Sequence, residues 1–472
     1  MVAHHPAEPG ALVSAKVLVI VGIVVAAWAA LGITGPASPG GQLTADEPQY
    51  VLSAISLGED RDLDIADELA EERYRFFHRA NLPVQTEVQD DAIQVSPHDP
   101  LLPTLLAAPV FVGGWIGGKL ALALLAGVLA AAMVWVAVVR FAVPVRVAVV
   151  TVLAFSMSAP LVFYGTMVYP EVPAALAVTL AIAAITGPLE RRGLLLAGAA
   201  VVALPWLSVK YVPVAAALAV CVLWRRRSPA FAGALAIAGV VFAGAHLAWY
   251  GGLTPYATGD HFVGGEFTAV GNNPDYLGRS IRLVGLLLDR DFGLVAWQPA
   301  FLLALPAAFV LVRQQPRSWW VLAIPFAAGW FNAAFIAFTM HGWWWPGRQT
   351  VVILPCVVVT VAWWAATRPY AVRALGVLGG FGASVYAWLV AQAAIGDLTI
   401  VTRFETISYP LVNAWRFLLP DYRELDARDW ALHAVWLTGI ALLGIVALAR
   451  PRLDSVRQSS PSESRIQGAT ST

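Results

Sequence analysis

Asp46 and Glu47 form a pair of adjacent carboxylates just past the first long apolar run, within Leu43-Thr-Ala-Asp-Glu-Pro-Gln-Tyr50. A carboxylate held in such a place can take the proton of a hydroxyl group. Pro48 fixes φ and stiffens the backbone behind the pair, and Tyr50 supplies a ring suited to a membrane interface. The polar segment that opens here lasts to about Pro100, where Ser96-Pro-His-Asp-Pro-Leu-Leu-Pro103 sets His98 and Asp99 at the start of a new apolar stretch. Prolines on both sides make that return rigid. Glu171 opens another apolar run in Tyr169-Pro-Glu171. Three cations stand at similar boundaries: Lys210 between Pro205 and Pro213, Arg290 in Asp289-Arg-Asp-Phe-Gly293, and Arg348 in Met340-His-Gly-Trp-Trp-Trp-Pro-Gly-Arg-Gln349, which also carries His341. A guanidinium in such a setting suits a phosphate. Each feature has a plainer reading too: an interfacial His98, a local salt-bridge knot at 289–291, a tryptophan belt at 343–345, and a lysine that snorkels.

The elements that must position these residues are membrane helices. The chain is 59% hydrophobic and 13% charged, with mean hydropathy +0.69, where a soluble domain carries about a quarter charged residues. Apolar runs of about bilayer length recur throughout, which predicts an all-α polytopic membrane protein in contact with the lipid bilayer. The zero formal net charge offers no footprint for nucleic acid. Cys221 and Cys356 lie inside apolar runs and read as packing residues rather than a disulfide, and no metal-ligand spacing is present. Lys16 precedes the first run, Val17 to Ile33, for which a cleaved signal peptide is the rival reading.

Basic residues recur at Arg140 and Arg146, Arg191 and Arg192, Arg225 to Arg227, Arg313 and Arg317, Arg368 and Arg373, and Arg450 and Arg452, with room for two crossings between successive clusters. The expected spans are 13–33, 119–139, 146–164, 171–188, 193–208, 211–224, 230–250, 292–312, 318–339, 350–367, 374–395 and 429–449, about twelve in all. Residues 193–224 also fit one tilted span. With positive charge inside, both termini are cytoplasmic, and the polar regions 34–100, 251–291, 341–348 and 396–428 are external. Residues 101–118 read as a separate, partly embedded helix broken by Gly113-Gly114 and Gly117-Gly118. The expected organisation is one membrane unit over 1–450, with 34–118 as its first external loop and re-entrant helix, and a disordered cytoplasmic tail at 451–472.

Long external loops of mixed charge over short basic connections suit an enzyme that works on the outer face. The alternative is a polytopic transporter or flippase of a lipid or small solute, which would spread polar groups through the midplane. In the first loop, Gly58-Glu-Asp-Arg-Asp-Leu-Asp-Ile-Ala-Asp-Glu68 lacks the spacing of a calcium loop and reads as a solvated acidic face.

Taken together, the Asp46-Glu47-Pro48-Gln49-Tyr50 motif after the first span, the His98-Asp-Pro-Leu101 return, Tyr169-Pro-Glu171, Asp289-Arg-Asp-Phe-Gly293 and Gly347-Arg348 make the chain resemble the GT-C superfamily of integral-membrane glycosyltransferases. The resemblance extends over nearly the whole chain as an architecture. Relatives include bacterial aminoarabinose, mannosyl and arabinosyl transferases, which take sugar from a polyprenyl phosphate on the external face. The resemblance implies a GT-C-like fold of about twelve helices in the bacterial plasma membrane. It implies a polyprenyl-phosphate sugar donor and a glycan, glycolipid or protein acceptor; the high Ala, Val, Arg and Trp content suggests a GC-rich bacterial genome and so favours mannose or arabinofuranose as the sugar. It also implies Asp46 as the catalytic base with Glu47 as its neighbour. Tyr50, His98, Asp99, Glu171, Lys210, Arg290, His341 and Arg348 are then the expected substrate-binding residues. A phosphate leaving group needs cations rather than a strong general acid, and the acceptor hydroxyl needs a base, so a single displacement with inversion follows. No cofactor is required by this chemistry; some relatives use a divalent cation.

Overall fold

The computed structural model describes residues 13–83, 85–86, 93–260, 262 and 264–449; the expected tail at 451–472 lies outside them. The described residues are helices and loops, and their only β pairings are isolated bridges such as Asp64 with Val95. In chain order the α-helices are α1 (Ala15–Ala30), α2 (Glu47–Glu59), α3 (Ala66–Ala70), α4 (Leu101–Phe141), α5 (Val145–Ser156), α6 (Leu161–Tyr164), α7 (Glu171–Thr186), α8 (Arg191–Leu207), α9 (Val212–Arg225) and α10 (Pro229–Tyr250). They continue with α11 (Tyr276–Arg279), α12 (Arg282–Leu288), α13 (Leu294–Trp297), α14 (Ala304–Gln314), α15 (Trp320–Phe331), α16 (Leu354–Ala365), α17 (Pro369–Ala394), α18 (Pro410–Arg416) and α19 (Ala427–Ala449).

This is a membrane-embedded, all-helical chain. Five of the described helices are long and apolar enough to cross a bilayer, and five shorter apolar ones accompany them. Two of the expected spans are interrupted: 146–164 at Ser156 to Leu161 and 292–312 at Trp297 to Ala304, where a proline removes a donor and blocks the preceding turn. The expected pair 193–208 and 211–224 is present as α8 and α9, separated by a short 3₁₀ turn at Val209–Tyr211. The expected helix 101–118 and span 119–139 form a single long element, α4, broken at Gly113 and Gly114. Gly114 has φ +56°, in the region that favours a residue without Cβ.

α4 is the central post. α1, α2, α5, α7 and α16 all pack on it. The contact with α1 is close because Gly22 and Gly127 meet there; a Cβ on Gly127 would overlap the Gly22 carbonyl. In a lipid environment such small-residue seams let backbones approach and gain dispersion contact. Lipid-facing side chains stay apolar: Val19, Ile20 and Ile23 on α1, Ile237 and Val240 on α10, and Leu442 and Ile445 on α19 are exposed. Both cysteines are free and buried.

The helix ends sort into two poles. Arg140, Arg191 and Arg192 line one cleft of about 900 Å³ near the end of α4 and the start of α8; Arg140 donates to the carbonyl of Ala183 in the last turn of α7, and Arg226 to that of Leu189 just past its end. Cations satisfying orphan carbonyls at a helix C-terminus match the macrodipole. The starts of α4, α7 and α9 lie at the opposite pole, with Asp99, Glu171 and Lys210.

Gly127→Val is expected to lower stability by about 1–3 kcal/mol through overpacking at the α1–α4 seam. Gly233→Val on α10, where a Cβ meets nothing within 4 Å, is expected to leave it unchanged. Thermal unfolding of the detergent-solubilised proteins checks both.

Candidate active site

A cavity of about 550 Å³ opens at the pole opposite the arginines, and Asp46, Tyr50, His98, Asp99, Lys210 and Arg348 line it. Six of the ten residues singled out in the sequence therefore share one space, although they come from four separate segments. Asp46 is the N-cap of α2, and Pro48 occupies the first turn behind it. Tyr50 stacks on His98, with ring centroids 4.4 Å apart. The short His98–Asp99 stretch is tied down by the Tyr250 hydroxyl, which donates to the His98 carbonyl at 2.9 Å.

The charged groups form one connected network. Arg348 Nη2 donates to Asp46 Oδ2 at 2.8 Å, and its Nε donates to Glu171 Oε1 at 3.0 Å. Lys210 Nζ donates to the same Glu171 oxygen at 2.7 Å. Glu171 does not line the cavity; it is fully buried behind it, at 0% exposure, and holds the two cations side by side. Arg348 is sandwiched, its guanidinium 4.0 Å from the Tyr169 ring centroid and 5.0 Å from that of Trp344. Such stacking keeps a guanidinium planar and oriented after its partners move.

Burial alone would raise the Asp46 carboxyl, but Arg348 and then His98 outweigh it and hold the group at about 2, below its ordinary 3.8. Burial lowers His98 below its ordinary 6.5 against the pull of Asp46, which favours the neutral imidazole. His98 Nε2 and Asn332 Oδ1, both on the cavity lining, and Glu171 Oε2 behind it are buried polar atoms without a hydrogen-bond partner. Unpaired polar groups of this kind mark a place for a polar ligand. Phe262, Phe267, Ile336 and Phe338 form an apolar side of the same cavity.

The other expected residues sit elsewhere. Glu47 is buried and turned toward backbone: Thr44 N and Val168 N donate to its two oxygens at 2.9 and 2.7 Å. It clasps the loop that carries Asp46 to the loop that precedes α7. Arg290 and His341 do not line the cavity. Arg290 lies 3.6 Å from Asp429 and 3.9 Å from Asp421, and His341 Nε2 lies 3.8 Å from Asp289. They join Asp289 and the Asp291–Arg416 pair in a polar knot that anchors the segment before α19. The three tryptophans split three ways: Trp343 is exposed, Trp344 covers Arg348, and Trp345 is fully buried and stacks on Phe163.

Sequence reasoning did not single out His246. It is the one buried polar residue of α10, a helix whose other buried side chains are Phe231 and Tyr250. Its Nε2 lies 3.0 Å from Asp99 Oδ1, while Asp99 Oδ2 accepts from Val209 N at 2.8 Å. Asp99 thus fixes the backbone beside Lys210 and docks α10. A histidine within an apolar run is a signal in itself, because polar groups in lipid need a partner. Of the cavity carboxylates, Asp46 is already engaged by Arg348, and Asp99 by His246 and Val209 N. Among the described residues, the group of three acidic, histidine or cysteine ligands close enough to share an ion is Asp60, Asp67 and Glu68, away from this cavity.

The geometry can be set beside known proteins. No protein-family model and no curated protein sequence matches the chain. Among solved structures, the chain is similar to the crystal structure of ArnT from Cupriavidus metallidurans bound to undecaprenyl phosphate, with a TM-score of 0.55 over 92% of this chain and 77% of that one, at 14% identity. The chain has the GT-C fold. In this GT-C scaffold the cavity sits at the pole formed by the starts of α4 and α7 and covered by the first loop.

The Asp46 shift fixes a pH dependence. Because the folded carboxyl lies below its unfolded value, its contribution is fully present above about pH 4 and is lost as pH falls toward 2. Asp46→Asn is expected to cost roughly 2 kcal/mol at pH 7, with the difference from wild type closing between pH 4 and 2. Unfolding in detergent across that range checks it; a pH-independent difference contradicts the pairing.

Proposed function

We propose that the protein is a glycosyltransferase that moves a sugar from a polyprenyl-phosphate donor to an acceptor hydroxyl on the external membrane face, by one inverting displacement. The observation that carries this reading is the Asp46–Arg348–Glu171–Lys210 network beside one cavity: a carboxylate and two cations held together, with Arg348 paired to Asp46 and both cations paired to Glu171. The fold shared with a protein whose crystal structure holds undecaprenyl phosphate supports a donor of that class.

In this reading the donor phosphodiester binds against Arg348 and Lys210. Asp46 accepts the proton of the acceptor hydroxyl as its oxygen bonds to the anomeric carbon. The bond from that carbon to the phosphate oxygen breaks, and the electron pair leaves with the polyprenyl phosphate. The leaving phosphate gains one negative charge as Asp46 loses one, so the two cations face the place where charge grows. A carboxylate held at about 2 is a weak base, and base strength matters in proton transfer. Donor binding that draws Arg348 from Asp46 to the phosphate solves this, since the same movement supplies the cation and releases the carboxylate. Glu171 keeps the two cations adjacent, and Glu47 positions Asp46 through the backbone. Arg290 and His341 act at a distance, by holding the loop before α19.

Mannose and arabinofuranose are the proposed sugars, and a glycan, glycolipid or protein of the bacterial envelope is the proposed acceptor. The direct test is transfer of labelled sugar from polyprenyl-phosphate donors in membranes, with variants at matched expression. Asp46→Asn is expected to lose on the order of a hundred- to ten-thousand-fold in rate. Unchanged transfer by Asp46→Asn removes it as the base, and absence of transfer by wild type from every donor class removes the glycosyltransferase reading.

A further inference from the structure

The first external loop holds a second group of ionisable side chains, at the far end of α2 from Asp46. Asp60 is the C-cap of α2, and Asp67 and Glu68 lie on α3. One carboxylate oxygen from each lies within 4.8 Å of the others. Asp60 and Asp67 are exposed, whereas Glu68 is only 2% exposed, and its Oε2 is a buried polar atom without a hydrogen-bond partner. A buried carboxylate oxygen left unpaired beside two more carboxylates is unfavourable on both desolvation and repulsion.

Arg73 relieves it only in part, by charge at a distance. Its guanidinium is committed to Glu59, with contacts at 2.8 and 3.0 Å, and lies 3.8 Å from Glu71. From Glu59 to Arg73 the chain carries eight carboxylates against two arginines. The neighbouring acids are occupied in shaping the loop: Asp62 accepts from Ser56 and Asp64 N, and Asp64 accepts from Ala66 N and Gln94 N. The three that remain face one another.

We propose that Asp60, Asp67 and Glu68 bind a calcium ion that fastens the C-terminal end of α2 to α3. The ligands are all carboxylate oxygens, the set preferred by hard cations. Oxygens sharing one calcium at ~2.3–2.6 Å stand up to about 5 Å apart, which the observed spacing meets with little movement. Magnesium at ~2.0–2.1 Å demands a tighter octahedron. The exposed Asp60 and Asp67 leave water free to complete the shell. The negative end of the α2 dipole adds to the attraction. The binding site stands independently of the glycosyltransferase reading; only its consequence for Asp46, which caps the other end of the same helix, rests on that reading. The acidic stretch that reads in sequence as a solvated face thus has one buried member around which the others gather.

The test uses the full chain, purified in detergent and stripped with EDTA. Calcium chloride is expected to raise the melting temperature by several degrees, with half-effect on the order of 10⁻⁴–10⁻³ M, the range of extracellular sites; magnesium at equal concentration is expected to do less. Terbium luminescence, quenched by competing calcium, reads the ion directly and without any activity assay. Glu68→Gln is expected to abolish both signals. Asp60→Asn, a surface change, is expected to weaken calcium at least tenfold and keeps the test readable where Glu68→Gln does not fold. An absent calcium response in wild type, or an equal response in wild type and both variants, overturns the proposal. So does a Glu68→Gln protein that is more stable than wild type without calcium, since a proton shared with Asp67 would then be the natural occupant.

Discussion

Two cations and two carboxylates packed under one roof set the terms for the rest of this protein. Arg348 and Lys210 converge on one oxygen of Glu171, and Arg348 continues to Asp46. Bringing such charges together in a low-dielectric site is tolerable only when each is paired and fixed. The surrounding structure does this with rigid parts. Pro48 stiffens the turn behind Asp46, Tyr169 and Trp344 clamp the guanidinium, and Glu47 ties the Asp46 loop to the loop before α7. The quartet is neutral as a whole, so an arriving phosphate finds cations already placed, but it must compete for them.

Asp99 provides the second level of support. It reaches Val209 N beside Lys210 and His246 on α10, so a lipid-facing helix is joined to the wall of the cavity through one buried carboxylate and, at its end, through the Tyr250 hydroxyl on the His98 carbonyl. α10 is otherwise apolar and contributes little to the core. Its connection to the site runs through hydrogen bonds from His246 and Tyr250, beside ring contacts with Trp206 on α8, which suits a bilayer, where apolar contact between helices gains little over contact with lipid. The knot around Asp289 and Arg290 does similar work on the other flank, where Tyr422 N donates to Asp289 and Arg290 approaches Asp421 and Asp429.

Much of this was legible in the chain. The membrane class followed from composition and run length, because an apolar segment of bilayer length has few other uses. Asp46, His98, Asp99, Lys210 and Arg348 stood out because charged or polar side chains at the ends of apolar runs, flanked by proline, face a boundary that few residues occupy without a reason. Their grouping was beyond reach: Asp46 and Arg348 touch across 302 positions of sequence. Local pattern also could not tell Arg348 from Arg290. Both sit in short polar motifs that open apolar stretches, yet one lies on the cavity and the other in the Asp289 knot. Glu47 and Asp46 are neighbours with opposite fates for a local reason, since adjacent side chains at a helix start point in different directions.

By itself, then, the sequence determined the solvent this protein lives in, the order of its apolar and polar stretches, and which few residues carry charge at their borders, since these are properties of composition and spacing. The tertiary structure alone decided which charges meet, which helix breaks shorten a span, and that Glu68 is buried among acids that look solvated. Those outcomes depend on pairing distances of about 3 Å between segments far apart in the chain, and a distance of that kind is set by packing, which no local pattern encodes.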